Sequence, residues 1–159
     1  MEFIETKILS KDQLLKLKNL WNNEYPEKLY IDNMFHFEEY INTKTDIEHI
    51  LVLNSTGVLI GWFFTFIRSE ENWFAMILAT SIHKQGLGSK LLDMAKKKHL
   101  QLNGWVIDHD RDQLKSGKVY KSPLQFYINN EFKVYNQCRL DLEKISAVKI
   151  VWNAQELSN

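Results

Sequence analysis

The spacing of apolar residues predicts a strand and two helices at the start of the chain. Glu2 to Leu9 alternates loosely, as a strand does. Ser10 then precedes Gln13 by three positions, the spacing of a capping box, and the apolar residues that follow share one helical face. Met34 to Ile41 has the pattern of a second, short helix.

Three strands are predicted next. Ile50 to Leu53 and Val58 to Ile67 flank the turn at 54–57 and predict a hairpin, and Trp73 to Leu78 follows another polar turn. The second of these strands is apolar on both faces, which predicts an interior position in the sheet.

The rest of the chain alternates helices and strands. A helix that begins near Leu87 is predicted to continue through Leu102 and to end at Asn103-Gly104, before a short strand from Trp105 to Ile107. Ser122-Pro123 is typical of a helix start, and this helix is expected to run to about Asn130. The closing strands are predicted at 132–137 and 147–152. No repeat or linker divides the chain, so residues 1–159 are predicted to form one α/β (α+β) domain.

The composition of the chain limits where the protein is expected to occur and what it is expected to bind. The chain has 159 residues, 45% apolar and 25% charged, and its 20 Lys and Arg residues balance 20 Asp and Glu. Such a chain has no net field that favours nucleic acid or an anionic membrane. The longest apolar run, Val58 to Ile67, is shorter than the about 20 residues of a spanning helix. The lone Cys138 cannot form an internal disulfide and is expected to be a buried structural thiol. A cytoplasmic monomer or homodimer is expected.

The residues with the clearest chemistry lie between the predicted strand from Trp73 to Leu78 and the helix that begins near Leu87. The segment His83-Lys84-Gln85-Gly86-Leu87-Gly88-Ser89 places two glycines at a helix start, where backbone N–H groups and the helix dipole favour an anion. A nucleotide-hydrolase phosphate loop is excluded, because Ser89 stands where that loop requires Lys and the glycine spacing differs. A dinucleotide fingerprint is disfavoured, because Leu91 occupies the third glycine position.

Residues 83–88 resemble the pyrophosphate loop of the GNAT superfamily of acyl-CoA-dependent N-acyltransferases, Arg/Gln-x-x-Gly-x-Gly/Ala, with His83 at the first position. The predicted order of strands and helices along essentially the whole chain is similar to that family. The resemblance implies a mixed, mostly antiparallel sheet flanked by helices, with a splay between the fourth and fifth strands. It also implies acetyl-CoA as co-substrate and no metal. The implied cofactor-binding residues are Leu78, Ala79, His83, Lys84, Gln85, Gly86, Leu87, Gly88 and Ser89.

A second match to the family lies around Tyr127. Phe126-Tyr127 and Phe132 follow its Leu/Phe-Tyr-x-x-x-Gly-Phe pattern, with Glu131 in place of glycine, so a less sharply turned helix exit is expected. Tyr120 replaces the small polar residue usual seven positions before the tyrosine. The resemblance implies that Tyr127 protonates the departing thiolate, which suits a phenol with a pKa near 10.

The proton acceptor and the amine site are less defined. The resemblance implies a glutamate on the fourth strand as base, but the strand from Trp73 to Leu78 holds no titratable group. His109, between Asp108 and Asp110, is therefore the candidate base. The same carboxylates are candidates for binding a cationic amine, and a water relay is the alternative to a dedicated base. Tyr25 and Tyr30 are further candidates for the acceptor pocket, together with Trp21.

The resemblance implies transfer of an acetyl group from acetyl-CoA to a primary amine of a small molecule, peptide or protein, by direct attack in a ternary complex. A non-catalytic acyl-CoA-binding or regulatory domain is the alternative, favoured by the absence of a carboxylate on the fourth strand and by the substitutions at His83 and Tyr120.

Overall fold

The structure is a computed structural model that describes residues 1–157. Its central element is a seven-stranded sheet. The strands are β1 (Glu2–Thr6), β2 (Thr45–Leu53), β3 (Leu59–Arg68), β4 (Glu71–Leu78), β5 (Gln101–Ile107), β6 (Lys133–Leu142) and β7 (Ile145–Asn153). The helices are α1 (Lys11–Glu24), α2 (Met34–Asn42), α3 (Leu87–Lys98), α4 (Leu124–Asn129) and α5 (Ala154–Leu157). Short 3-10 turns cover Glu27–Leu29 and Thr80–Ile82.

The sheet has the strand order β1-β2-β3-β4-β5-β7-β6. Neighbouring strands are antiparallel except β4 and β5, which are parallel. Within residues 1–157, β4 and β5 pair only at Trp73 and Asn103, and beyond that pair they separate. The predicted mostly antiparallel sheet and the splay between its fourth and fifth strands are confirmed.

Apolar side chains fill both faces of the sheet. On one face, Phe63 and Phe74 pack with α3 and α4, and on the other, Trp62 and Phe64 pack with α1 and α2. Because neighbouring residues of a strand point to opposite faces, β3 is buried on both sides. The predicted interior position of this strand is confirmed.

The first helix begins where the capping box predicts. The Gln13 N–H donates to Ser10 Oγ at 3.1 Å, and the Ser10 N–H donates to Gln13 Oε1 at 2.9 Å. The two bonds satisfy backbone donors that a helix start otherwise leaves without partners.

The predicted end of the third helix is wrong. α3 ends at Lys98, and His99 is already extended, with its N–H bonded to the Ala95 carbonyl. Leu102 continues the apolar spacing by coincidence, since it reaches the core from β5, where it is fully buried. Gly104 lies inside the same strand, and a Cβ there would come within 2.9 Å of the Phe74 ring. The glycine therefore admits that ring rather than ending a helix.

The expectation of a buried thiol is also wrong. Cys138 is exposed on β6, which is the last strand in the sheet order and has mostly exposed residues. Among residues 1–157, no helix has both the length and the apolar character needed to cross a membrane.

Protein stability should depend on pH through His49. This residue is 2% exposed on β2, and its Nδ1 accepts a hydrogen bond from Trp62 Nε1 at 3.1 Å. Burial lowers the pKa of His49 from 6.5 to about 4. Between these pH values the unfolded chain binds a proton that the folded chain does not, so the free energy of unfolding falls as the pH is lowered from 6.5 towards 4. The slope approaches about 1.4 kcal/mol per pH unit.

Urea unfolding of wild type and His49→Gln at several pH values measures this slope. Gln keeps a hydrogen-bond acceptor for Trp62 but does not titrate, so the slope between pH 4 and 6.5 should be smaller in the variant. Equal slopes in the two proteins would assign the pH dependence to other groups.

Candidate active site

The chain turns sharply between β4 and α3. His83 folds back along the end of β4, with its Nε2 3.0 Å from the Leu78 carbonyl oxygen. Lys84 has a φ of 65° and Gly86 a φ of 81°, both in the left-handed region. Glycine adopts that region without strain, so Gly86 allows the chain to enter α3 directly from the turn.

The N-terminus of α3 opens to solvent at this turn. Gly86 is the N-cap and supplies no side chain, and the Lys90 N–H is the first to bond back to its carbonyl, at 3.1 Å. The N–H groups of Leu87, Gly88 and Ser89 precede that bond and so have no partner within the helix. They form a positive end suited to a phosphate.

The second glycine is required by packing. A Cβ on Gly88 would come within 2.8 Å of the Phe126 ring. Gly88 therefore lets α4 approach the first turn of α3, which closes one side of the cleft described next.

A cleft of about 520 Å³ lies between the open edge of β4, the turn and α4. Of the predicted cofactor-binding residues, those that line it are Leu78, His83, Lys84, Gly86, Gly88 and Ser89. Ala79, Gln85 and Leu87 do not line it; the Leu87 side chain is buried in the core, and the Gln85 side chain donates to the Ser81 carbonyl. We call this space the cofactor cleft.

A second cavity of about 510 Å³ lies on the other side of the splay, and its walls are largely aromatic. Its aromatic residues are Trp21, Tyr25, Tyr40, Phe66, Trp73, Phe74, Trp105, Tyr120 and Tyr127. We call it the aromatic cavity. The two spaces share Tyr25, Met76, Tyr120, Pro123 and Tyr127, so they meet where β4 and β5 separate.

Tyr127 lies at this junction. It is 5% exposed and packs against Phe74 and Phe132, with ring centroids 5.7 and 5.5 Å away. Burial raises the pKa of Tyr127 well above the ordinary phenol value, so the hydroxyl is protonated at neutral pH. Within residues 1–157 the hydroxyl has no hydrogen-bond partner, which leaves it available to a group that enters the cleft.

Tyr25 and Tyr120 line both spaces beside Tyr127. Their ring centroids are 6.5 Å apart. Burial raises the pKa of Tyr25 to about 12 and that of Tyr120 further, so both phenols are neutral at pH 7. Tyr30 lies outside, 43% exposed, with Lys115 Nζ 5.2 Å from its ring centroid.

The acidic segment after β5 has partners within the protein. Asp108 accepts two hydrogen bonds from Arg139, at 2.8 and 3.1 Å, which lower the pKa of its carboxyl. Asp110 accepts a bond from the Ser122 N–H at 2.7 Å. The His109 Nδ1 accepts a bond from the Arg111 N–H at 3.1 Å. Neither carboxylate nor the imidazole lines the cofactor cleft or the aromatic cavity.

The helix exit after Tyr127 corrects the expectation drawn from Glu131. This residue has a φ of 73°, in the left-handed region where glycine is favoured. The Phe132 N–H bonds back to the Tyr127 carbonyl at 3.1 Å, so the exit is sharply turned despite the Cβ.

Glu131→Gly should stabilise the protein by about 0.5–1 kcal/mol, because it removes the left-handed strain of a residue that carries a Cβ. The exposed Glu131 carboxylate lies 3.8 Å from Lys96 Nζ, and loss of this long ion pair should offset little of that gain. Chemical denaturation measures the difference, and Glu131→Gln, which keeps the Cβ, is the matched control. A gain in the Gln variant equal to that in the Gly variant would contradict the explanation.

Within the described residues 1–157, no group of three or more His, Cys, Asp or Glu side chains is arranged to hold a metal ion. No protein-family model and no curated protein matches the sequence.

Solved structures do match. An aminoglycoside 6'-N-acetyltransferase complexed with coenzyme A superposes with a TM-score of 0.72 at 14% identity, over 97% of each chain. A putative phosphinothricin N-acetyltransferase gives 0.67 at 11% identity, over 96% of this chain and 98% of that one. The spermidine/spermine N-acetyltransferase SpeG from Vibrio cholerae gives 0.62 at 14% identity, over 99% and 96%. The chain therefore has the GNAT fold.

Proposed function

We propose that the protein transfers an acetyl group from acetyl-CoA to a primary amine by direct attack in a ternary complex. The observation that carries the proposal is the junction at Tyr127, where a cleft that ends at the N-terminus of α3 meets an aromatic cavity. The three structures described above carry the names of acetyltransferases, and one of them is complexed with coenzyme A. One acyltransferase domain would carry both spaces, since elements from α1 to β7 line them.

The diphosphate of CoA would lie at the turn. Backbone N–H groups of residues 87–89 would donate to its oxygens, and Lys84 would add a full positive charge. Lys90 contributes less, because its Nζ lies 4.6 Å from the centroid of the Phe3 ring and the residue does not line the cleft. The pantetheine arm would run along the open edge of β4, towards Met76 and Tyr127.

The amine would arrive through the aromatic cavity. The ammonium first loses a proton to water or to a base, and the neutral nitrogen then attacks the thioester carbonyl, so that a C–N bond forms and the C–S bond breaks. Tyr127 donates its proton to the departing thiolate, and the second proton that the nitrogen loses on forming the amide returns Tyr127 to the phenol through water. Burial keeps that phenol protonated until the thiolate forms.

Two roles stay predictions. One is His109 as the base, and the other is binding of the amine by Asp108, Asp110 and Tyr30. A base role for His109 requires that His109→Gln remove the acid limb of the kcat/KM profile. A binding role for the two carboxylates requires that Asn replacements raise the acceptor KM.

The alternative, an acyl-CoA-binding domain without catalysis, is favoured by one observation. Glu24 is the only carboxylate in the described lining of either space, and its Oε2 already accepts bonds from the N–H and the hydroxyl of Thr80. No carboxylate in that lining is therefore evident as a dedicated base.

An assay that monitors CoA thiol release from acetyl-CoA across a panel of amines separates the two functions. We expect release with at least one amine; acetyl-CoA binding without release would favour the binding domain.

A further inference from the structure

The charged side chains that line the aromatic cavity all have the same sign. They are Lys44, which follows α2, and Arg68, at the end of β3. No aspartate or glutamate is among the lining residues that the structure describes. A cavity built to receive a polycationic amine would require the opposite charge.

The two cations are held close together. Lys44 Nζ lies 5.4 Å and Arg68 Cζ 5.1 Å from the centroid of the Phe66 ring, and Arg68 also lies 5.2 Å from the centroid of Trp73. Lys44 Nζ is fixed from the other side, because it lies 3.3 Å from the Tyr40 ring centroid and donates to the Tyr40 carbonyl at 2.9 Å. Aromatic faces and a carbonyl thus position both charges.

Neither cation has a carboxylate partner among residues 1–157. Glu71, across the hairpin from Arg68, lies 3.8 Å from Lys149 Nζ instead. Desolvation and the charge of Arg68 lower the pKa of Lys44 to about 8. An anion between the two cations would relieve this repulsion and accept charge-assisted hydrogen bonds.

The cations lie at one end of the cavity and Tyr127 at the other. Phe66 pairs with Trp73 across β3 and β4, and Met76, which lines both spaces, is three residues further along β4. At about 3.3 Å per residue, Trp73 and Met76 are roughly 10 Å apart along β4. Aromatic rings line the space between the two ends.

Given the proposed function, we propose that the acceptor is a primary amine with an aromatic or apolar body and an anionic group at its far end. Lys44 and Arg68 bind the anion, the aromatic walls enclose the body, and the amine reaches the thioester beside Tyr127. The positive end of the cavity disfavours a second ammonium on the acceptor. The two side chains are therefore specificity-determining residues.

Two matched acceptors test the proposal. 4-(2-Aminoethyl)benzoate carries a carboxylate across a benzene ring from its amine, and 4-(2-aminoethyl)benzamide has the same shape without the charge. We expect kcat/KM to be about 10–100-fold higher for the benzoate, the range for hydrogen bonds to a charged group. Lys44→Gln and Arg68→Gln should each reduce that preference, and Lys44→Arg should preserve it.

Lys115→Gln is the matched control, because Lys115 also faces a tyrosine ring but lies outside the cavity. Thermal unfolding of each variant checks that it folds. Equal kcat/KM for the two acceptors, or a preference that persists in both Gln variants, would overturn the anion site and leave acetyl transfer standing.

Binding of the two compounds to the CoA complex, measured by calorimetry, separates the proposals if neither compound is acetylated. Tighter binding of the benzoate that is lost in the Lys44 and Arg68 variants would support the anion site and count against catalysis. Equal binding of the two compounds would overturn the anion site.

Discussion

Tyr127→Phe is expected to lower turnover about 10²–10⁴-fold while the affinity for acetyl-CoA stays nearly constant. The substitution removes one hydroxyl and almost no volume, so the packing against Phe74 and Phe132 persists. Without the phenol, the thiolate must leave unprotonated or take its proton from water. Steady-state kinetics with saturating acetyl-CoA measure the loss.

Tyr25→Phe is the control for this experiment. Tyr25 also lines both spaces, and its phenol is also neutral at pH 7. If the effect belongs to proton donation at Tyr127, turnover of the Tyr25 variant should fall less than tenfold. Unchanged turnover in Tyr127→Phe would make Tyr127 a packing residue.

Gly86→Asp is expected to abolish binding of acetyl-CoA. Bound at 100 times its Kd, the ligand should stabilise the wild-type protein by about 2.7 kcal/mol, a rise in Tm of roughly 5–10 °C for a chain of this size. In the variant a carboxylate would stand at the positive end of α3, where the diphosphate is expected, so the rise should disappear. Differential scanning fluorimetry with and without acetyl-CoA measures it.

Gly86→Asn separates charge from shape. A Cβ at this position meets no heavy atom within 4 Å, and Asn tolerates the left-handed φ of 81° better than most residues. The Asn variant should therefore fold and retain part of the rise in Tm. A full rise in the Asp variant would show that acetyl-CoA does not bind at this turn.

The parts of the fold that sequence predicts well depend on local chemistry. The capping box at Ser10, the apolar runs of β2 and β3 and the glycine turn each need only neighbouring residues. The errors occur where tertiary contacts determine which element a residue belongs to or whether it is buried. Leu102 fits the helical spacing of α3 but reaches the core from β5, and Cys138 lies exposed on an edge strand.

In the candidate site, too, residues in local sequence motifs could be predicted, and residues brought together only by the fold could not. The turn at 83–89 and Tyr127 carry local motifs, and the structure places both on the cofactor cleft. The aromatic cavity has no such motif. Lys44 and Arg68 come together because β2 and β3 pair with Thr45 opposite Ile67. The sequence pattern predicts β2 only from Ile50, so it does not reach the end of the hairpin where the two cations lie.

Transfer of the acetyl carbon itself tests the central claim most directly. The protein is mixed with acetyl-CoA carrying ¹³C in the acetyl group, with and without a primary amine, and the products are identified by mass spectrometry. Direct attack predicts an N-acetylated amine that carries the label, one free CoA for each product molecule, and no labelled protein when the amine is absent. Release of CoA at the same rate with and without amine, or label on Cys138, would contradict it.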